Sequence, residues 1–352
     1  MEKKRITYFD ALKGLAIMLV VFCHHVVLDG YSILGNVVMS FAWVAVPCFF
    51  MVTGGLLHKS REFSWKKWVE RILKVYLCLC IWKFGYLIFY GIISDLEING
   101  IVIIKYLFFL ENMNGVDTGP MWFITAYLQA LLVLPITYQL YREENKKGLK
   151  YALAIFGTCS IVQTLVSFLG IEILNSLLEN IPFSGYTNML FYFVLGALLL
   201  YYREVISEFF NAKKIRKYIP FVLACVGIIG LMLVKHSYTG SFRWHGVYIS
   251  DGYSIVSTLV MSMGVYLVFS LDLIPEKCNS LLSELGKHTM GIFYLHYPVM
   301  VTLRLICEKL IDNFAQYYSF ALNVLQTVVV VAICCAITIV AKKIPIIKNL
   351  FA

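Results

Sequence analysis

The chain has 352 residues, 60% of them hydrophobic and 14% charged, against about 45–50% apolar and about 25% charged in soluble domains. That balance excludes a soluble globular protein and reads as a polytopic membrane protein. The formal net charge of +9 does not point to nucleic acid, because the basic residues sit in short clusters between apolar runs, where they encode topology.

Ten cysteines do not make a disulfide framework. Most lie inside apolar runs (Cys78, Cys80, Cys159, Cys225, Cys334, Cys335), where a free thiol acts as a small hydrophobe. No Cys-x-x-Cys pair or Cys/His cluster at ligand spacing occurs, so no structural metal is expected. The basic start, residues 1–5, precedes an apolar run too long for a signal peptide and without a small-residue cleavage site, so that run reads as a retained first span.

A crossing needs about 20 apolar residues. On that measure the sequence predicts an all-α fold of about ten transmembrane helices, near 8–28, 37–57, 72–93, 120–140, 150–170, 185–202, 219–235, 252–271, 287–307 and 319–341. The semi-apolar stretch 101–110 reads as an interfacial or re-entrant helix. With the N-terminus inside, one side collects nearly all the cations, from Lys3, Lys4 and Arg5 through Lys59, Arg61, Lys66, Lys67 and Arg71 to Lys342, Lys343 and Lys348. The other side holds Lys105, Lys235, Arg243 and Lys309. The positive-inside rule then predicts that both termini are cytoplasmic. No internal repeat and no soluble domain is evident, so residues 1–352 are expected to form a single membrane domain.

The first span carries an acid, a lysine and two histidines, and titratable groups inside a span are a functional hypothesis by default. At about 100° per residue, Lys13 and His24 fall about 20° apart around the helix, with Asp10 on the same stripe and His24 roughly 16 Å deeper. A neutral imidazole there can take a proton from a hydroxyl, which makes His24 a candidate general base. Its plain alternative is a hydrogen bond to a neighbouring helix. Lys13 can hold the phosphates of an anionic cofactor, pair with Asp10, or simply snorkel. His25 points to another face and reads as packing or as a partner of His24.

The ninth span repeats the chemistry: Tyr294-Leu295-His296-Tyr297-Pro298 places a histidine mid-span between tyrosines able to share a proton network. Pro298 removes a backbone donor and predicts carbonyls opened toward a cavity. Thr53-Gly54-Gly55 ends the second span with small residues that suit close helix approach. Trp122 opens the fourth span, where an aromatic-belt role is also open. The loop from Lys59 to Arg71 is a basic patch that reads as a topology signal and a contact for membrane lipids, or as a docking surface for a phosphorylated donor.

Taken together, Asp10-x-x-Lys13-Gly14 … His24, Phe49-Phe50-x-x-Thr53-Gly54, Arg71 at the head of span three, Trp122-Phe123, and Leu285-Gly286-Lys287 … Tyr294-Leu295-His296 resemble the acyltransferase 3 family in its stand-alone form, without a fused extracytoplasmic domain. The resemblance covers nearly the whole chain. It implies a multi-pass O-acyltransferase of the cell inner (plasma) membrane, moving an acyl group, an acetyl group above all, from acyl-CoA to a sugar hydroxyl of an envelope polysaccharide or lipid-linked glycan. It implies acetyl-CoA as donor and no metal. It makes His24 and His296 the catalytic histidines, Lys13 and Arg71 the donor-binding cations, and Asp10, His25, Thr53, Trp122 and Tyr294 supporting residues. Many relatives have arginine where Lys13 stands, and lysine offers a point charge instead of a bidentate grip. Thr53 stands where relatives often have serine. The alternative from another class is a proton-coupled transporter or flippase, since intramembrane titratable groups also mark ion paths.

Overall fold

The computed structural model describes residues 6–24, 33–60, 62–94, 96, 99–109, 111–169, 187–236, 242–244, 247–249, 252–317, 319–345 and 347–351. The basic start at residues 1–5, His25 and Arg61 lie outside the described residues.

The chain opens with α1 (Thr7–His24), α2 (Ile33–Ala42) and α3 (Ala45–His58). The 29-residue α4 (Trp65–Ile93) starts at Ser64, whose hydroxyl accepts the Lys67 backbone N–H. Asn99 caps α5 (Gly100–Phe108) in the same way, accepting from Ile101 and Val102. After a loop and a 3-10 turn, Gly119–Met121, come α6 (Trp122–Arg142) and α7 (Lys147–Gly157). A π-helical turn, Thr158–Val162, continues into α8 (Gln163–Phe168). Then follow α9 (Thr187–Tyr201), α10 (Arg203–Asn211) and α11 (Ile219–Leu233). A small antiparallel sheet of β1 (Lys235–His236), β2 (Phe242–Trp244) and β3 (Val247–Ile249) leads to α12 (Val256–Ser270). The chain closes with α13 (Glu276–Gly286), α14 (Thr289–Leu310) and α15 (Phe320–Lys342).

Among the described residues, eight helical runs are long and apolar enough to cross a membrane. The α9–α10 pair, bent by 66°, would make a ninth, and α12 is a shorter apolar helix. Each of the ten expected spans therefore meets a helix, and α5 occupies the stretch expected to be interfacial. The protein is a helical, polytopic membrane protein, and the sheet between α11 and α12 is its small departure from an all-α pattern.

Four glycines set the closest helix crossings. A methyl group on Gly14 would lie 2.0 Å from the Leu282 carbonyl oxygen, and one on Gly286 would lie 1.9 Å from that of Asp10, so α1 and α13 touch backbone to backbone. Gly54 and Gly196 do the same for α3 and α9, at 1.8 Å from Phe193 O and 1.9 Å from Met51 O.

Two prolines inside helices each leave the carbonyl four residues earlier without its helical donor. An aromatic side chain of α4 supplies the missing bond in both cases. The Trp68 indole N–H donates to Leu131 O at 2.7 Å, opposite Pro135, and the Tyr86 hydroxyl donates to Tyr294 O at 3.1 Å, opposite Pro298. The carbonyl expected to open into a cavity at Pro298 is thus taken by Tyr86. At the end of α3, His58 bonds through Nδ1 to Gly54 O at 2.8 Å and through Nε2 to Thr137 Oγ1 at 3.0 Å, fastening α3 to α6.

Candidate functional site

A cavity of about 540 Å3 is lined by both Lys13 and His24, the two members of the α1 stripe. Eleven residues of helix separate them, about 16 Å along the axis. The same cavity takes in Thr53, Arg71, Trp122 and Tyr294.

The end near Lys13 is cationic. Lys13 Nζ lies 2.7 Å from Asp10 Oδ1, and Asp10 is buried. Arg71 and Lys74 line the wall from α4, three residues apart and so on one helix face. Lys287 pairs with Glu284, and its carbonyl oxygen accepts from Lys342 Nζ at 2.8 Å. Each motif glycine neighbours a lining residue: Lys13-Gly14, Thr53-Gly54 and Gly286-Lys287. The backbone crossings bring these side chains to the cavity; a bulkier residue at any of them would push its wall outward. Beside this end, His288 sits 3.8 Å from Glu284. Burial and the nearby Lys342 hold its imidazole below the ordinary value, helped by Lys287 and opposed by Glu284.

The end near His24 is aromatic. The His24 ring stacks on His296, with centroids 5.2 Å apart and planes 26° apart, and meets Tyr297 edge-on at 5.8 Å. His296 is fully buried and does not line the cavity; it backs His24. Its Nδ1 lies 3.1 Å from Ile292 O and 2.6 Å from Phe293 O, so Nδ1 carries a proton directed at these two carbonyls. The Tyr297 hydroxyl donates to Asp117, whose other oxygen accepts the Gly119 N–H at 2.8 Å. Tyr294 stacks flat against Trp82, 4.9 Å away. Tyr253 joins from the turn before α12, held by Tyr192, whose hydroxyl donates to its carbonyl at 2.9 Å.

Of the residues singled out in the sequence, Lys13, His24, Thr53, Arg71, Trp122 and Tyr294 meet at one cavity, with Asp10 and His296 in direct contact with its walls. His25 lies outside the described residues. Sequence reasoning missed Lys74, although its spacing from Arg71 was a usable signal. It also missed Asp117, which a loop delivers across the bundle and which no local pattern announces. Among the described residues, no group of His, Cys, Asp and Glu could hold a metal ion.

The sequence model of a family described as an acyltransferase domain, the acyltransferase 3 family, matches residues 6–342. No curated protein and no solved structure matches the chain.

Proposed function

Because the chain belongs to the acyltransferase 3 family and is thus a membrane acyltransferase, we propose that it moves an acetyl group from acetyl-CoA to a sugar hydroxyl of an envelope polysaccharide or lipid-linked glycan. It does so in the inner (plasma) membrane, with both termini in the cytoplasm and residues 1–352 acting as one domain. The observation that carries this reading is the single cavity bordered by the Lys13 cations at one end and the His24 imidazole at the other.

The donor enters at the Lys13 end. Arg71 and Lys74 have no acidic partner within 4 Å among the described residues, and their charges meet the phosphates. Lys13, tethered by Asp10, adds a third charge. The pantetheine arm then follows the α1 stripe, which delivers the thioester to His24. The acceptor hydroxyl attacks the thioester carbonyl while His24 takes its proton; the new C–O bond forms, the C–S bond breaks, and the thiolate of coenzyme A leaves with the proton returned by the imidazolium. His296 acts through His24 as a positioning residue: its own Nδ1–H is held by two backbone carbonyls, and its stacked ring holds the His24 plane. Thr53, Trp122 and Tyr294 shape the channel and keep it narrow.

The test is His24→Ala, assayed by mass spectrometry of envelope glycans in intact cells and by coenzyme A binding to the purified protein. The expected result is loss of acetylation by about a hundredfold or more, with coenzyme A still bound. Full acetylation by the variant would overturn the mechanism.

A further inference from the structure

A second recess, about 380 Å3, adjoins the His24 end of the main cavity and shares Trp122 with it. Its polar wall comes from Lys83 of α4, from Asn112, Asp117 and Thr118 of the loop before α6, and from Thr125 of α6 itself. The Asp117 carboxylate is anchored between the Gly119 N–H and the Tyr297 hydroxyl. The Tyr297 ring in turn stands edge-on to His24. A single aromatic ring therefore separates this carboxylate from the imidazole.

We propose that the recess is a binding subsite for a neutral, hydroxyl-rich ring, a pyranoside unit of the acceptor, with Asp117 gripping its hydroxyls and Trp122 supporting its apolar face. The inference rests on the acyl-transfer reading above and gives that reaction its acceptor side. Charge selects the ligand class. The Lys83 ammonium is turned to Tyr106 O at 2.7 Å and Glu111 O at 2.9 Å and lies over the Tyr106 ring, so two of its three N–H donors hold α5 in place and it makes a poor clamp for a phosphate. Asp117 repels anions, and the Lys83 charge disfavours cations. A neutral ligand is what remains.

Hydrogen-bonding capacity narrows it further. A carboxylate has about four acceptor sites; Gly119 and Tyr297 occupy two, which leaves room for a pair of adjacent hydroxyls. The Thr118 hydroxyl donates to Asn112 Oδ1 at 3.4 Å, so the Asn112 amide keeps its N–H donors for a ligand oxygen. The indole of Trp122, bordering both spaces, supplies a flat surface for the ring's C–H face. A sugar seated there presents a hydroxyl past Trp122 toward His24, from the side opposite the donor.

The full-length protein in lipid nanodiscs tests this with methyl glycosides of glucose, galactose and mannose, read by saturation-transfer NMR, and with coenzyme A, read by calorimetry on the same preparations. The wild type is expected to bind at least one glycoside. Asp117→Ala should weaken that binding about tenfold or more, the size of one lost hydrogen bond to a charged group, and Asn112→Ala, at an exposed loop position, about threefold or more, the size of a neutral one. Thr125→Trp, which fills the recess, should abolish it. Glycoside binding unchanged in all three variants overturns the inference, as does a wild type that binds coenzyme A and no glycoside. Variant-sensitive glycoside binding without coenzyme A binding upholds the recess and overturns the donor reading. A wild type that binds neither overturns both.

Discussion

The two ends of the main cavity are built by different means. At the Lys13 end, backbones touch: Gly14 against Leu282 and Gly286 against Asp10 leave no space for a methyl group. At the His24 end, rings and a loop do the work, and the contacts that matter, His24 on His296 and Asp117 on Tyr297, are between side chains. A wall made of backbone fixes where charges stand and tolerates almost no substitution. A wall made of side chains can be retuned one residue at a time. The Lys13 end is therefore rigid, and the His24 end is the adjustable one.

The same substitution at the two ends gives the widest contrast. Gly286→Ala drives a carbon to within 1.9 Å of a carbonyl oxygen, and α1 cannot retreat without leaving α13. Overpacking of this kind costs about 1–3 kcal/mol or more, so the variant is expected to melt far below the wild type in detergent or not to accumulate. Gly119→Ala meets the Asp117 carboxylate at 3.2 Å and the Tyr297 ring at 3.8 Å, side chains and no backbone, and should fold with a melting temperature close to the wild type. Equal melting temperatures for the two variants would break the comparison.

A smaller effect is expected from charge. Arg71→Gln with Lys74→Gln removes two cavity cations that have no acidic partner within 4 Å among the described residues, and should raise the Kd for coenzyme A about tenfold or more, while flattening its dependence on salt. Unchanged affinity would place the phosphates elsewhere. Tyr86→Phe sharpens the account of the reacting end: it strips the Tyr294 carbonyl of its donor, at a cost of about 1–3 kcal/mol. Pro298→Ala restores the helical N–H, so the double variant should recover much of that loss. Additive destabilisation in the double variant would contradict the pairing.

The smallest effect is one of pH. His288 is held below its ordinary value of 6.5, so the stability tied to its neutral form is present above that pH and is lost as pH falls through the lowered folded-state value. His288→Gln should flatten the acid side of a melting-temperature profile and leave the neutral side unchanged.

How much of this was legible in the sequence follows the same division. Helical periodicity alone put Lys13 and His24 on one stripe, because both lie on one unbroken element whose geometry is fixed. The small residues Gly54 and Gly55 beside Thr53 were visible as a packing signal, whereas Gly14 and Gly286 stood out only as part of the family pattern. Tyr297 was visible as a flanking tyrosine, but its partner Asp117 was not: they are 180 positions apart, and a loop conformation decides their meeting. The two α4 ties to proline-broken helices were hidden for the same reason. Pro298 predicted a carbonyl left without its donor, but which neighbour would satisfy it depended on how α4 lies across the bundle.

The elbow between α9 and α10 has a mechanical consequence. α10 turns away from the axis of α9 by 66°. It exposes Val205 and Phe209 one turn apart on the same face, and such a face escapes water by resting flat in lipid. At its root, Arg203 lies 4.7 Å over the Tyr8 ring in the first turn of α1. The short helix is thus an outrigger lashed at its root to the helix that carries Lys13.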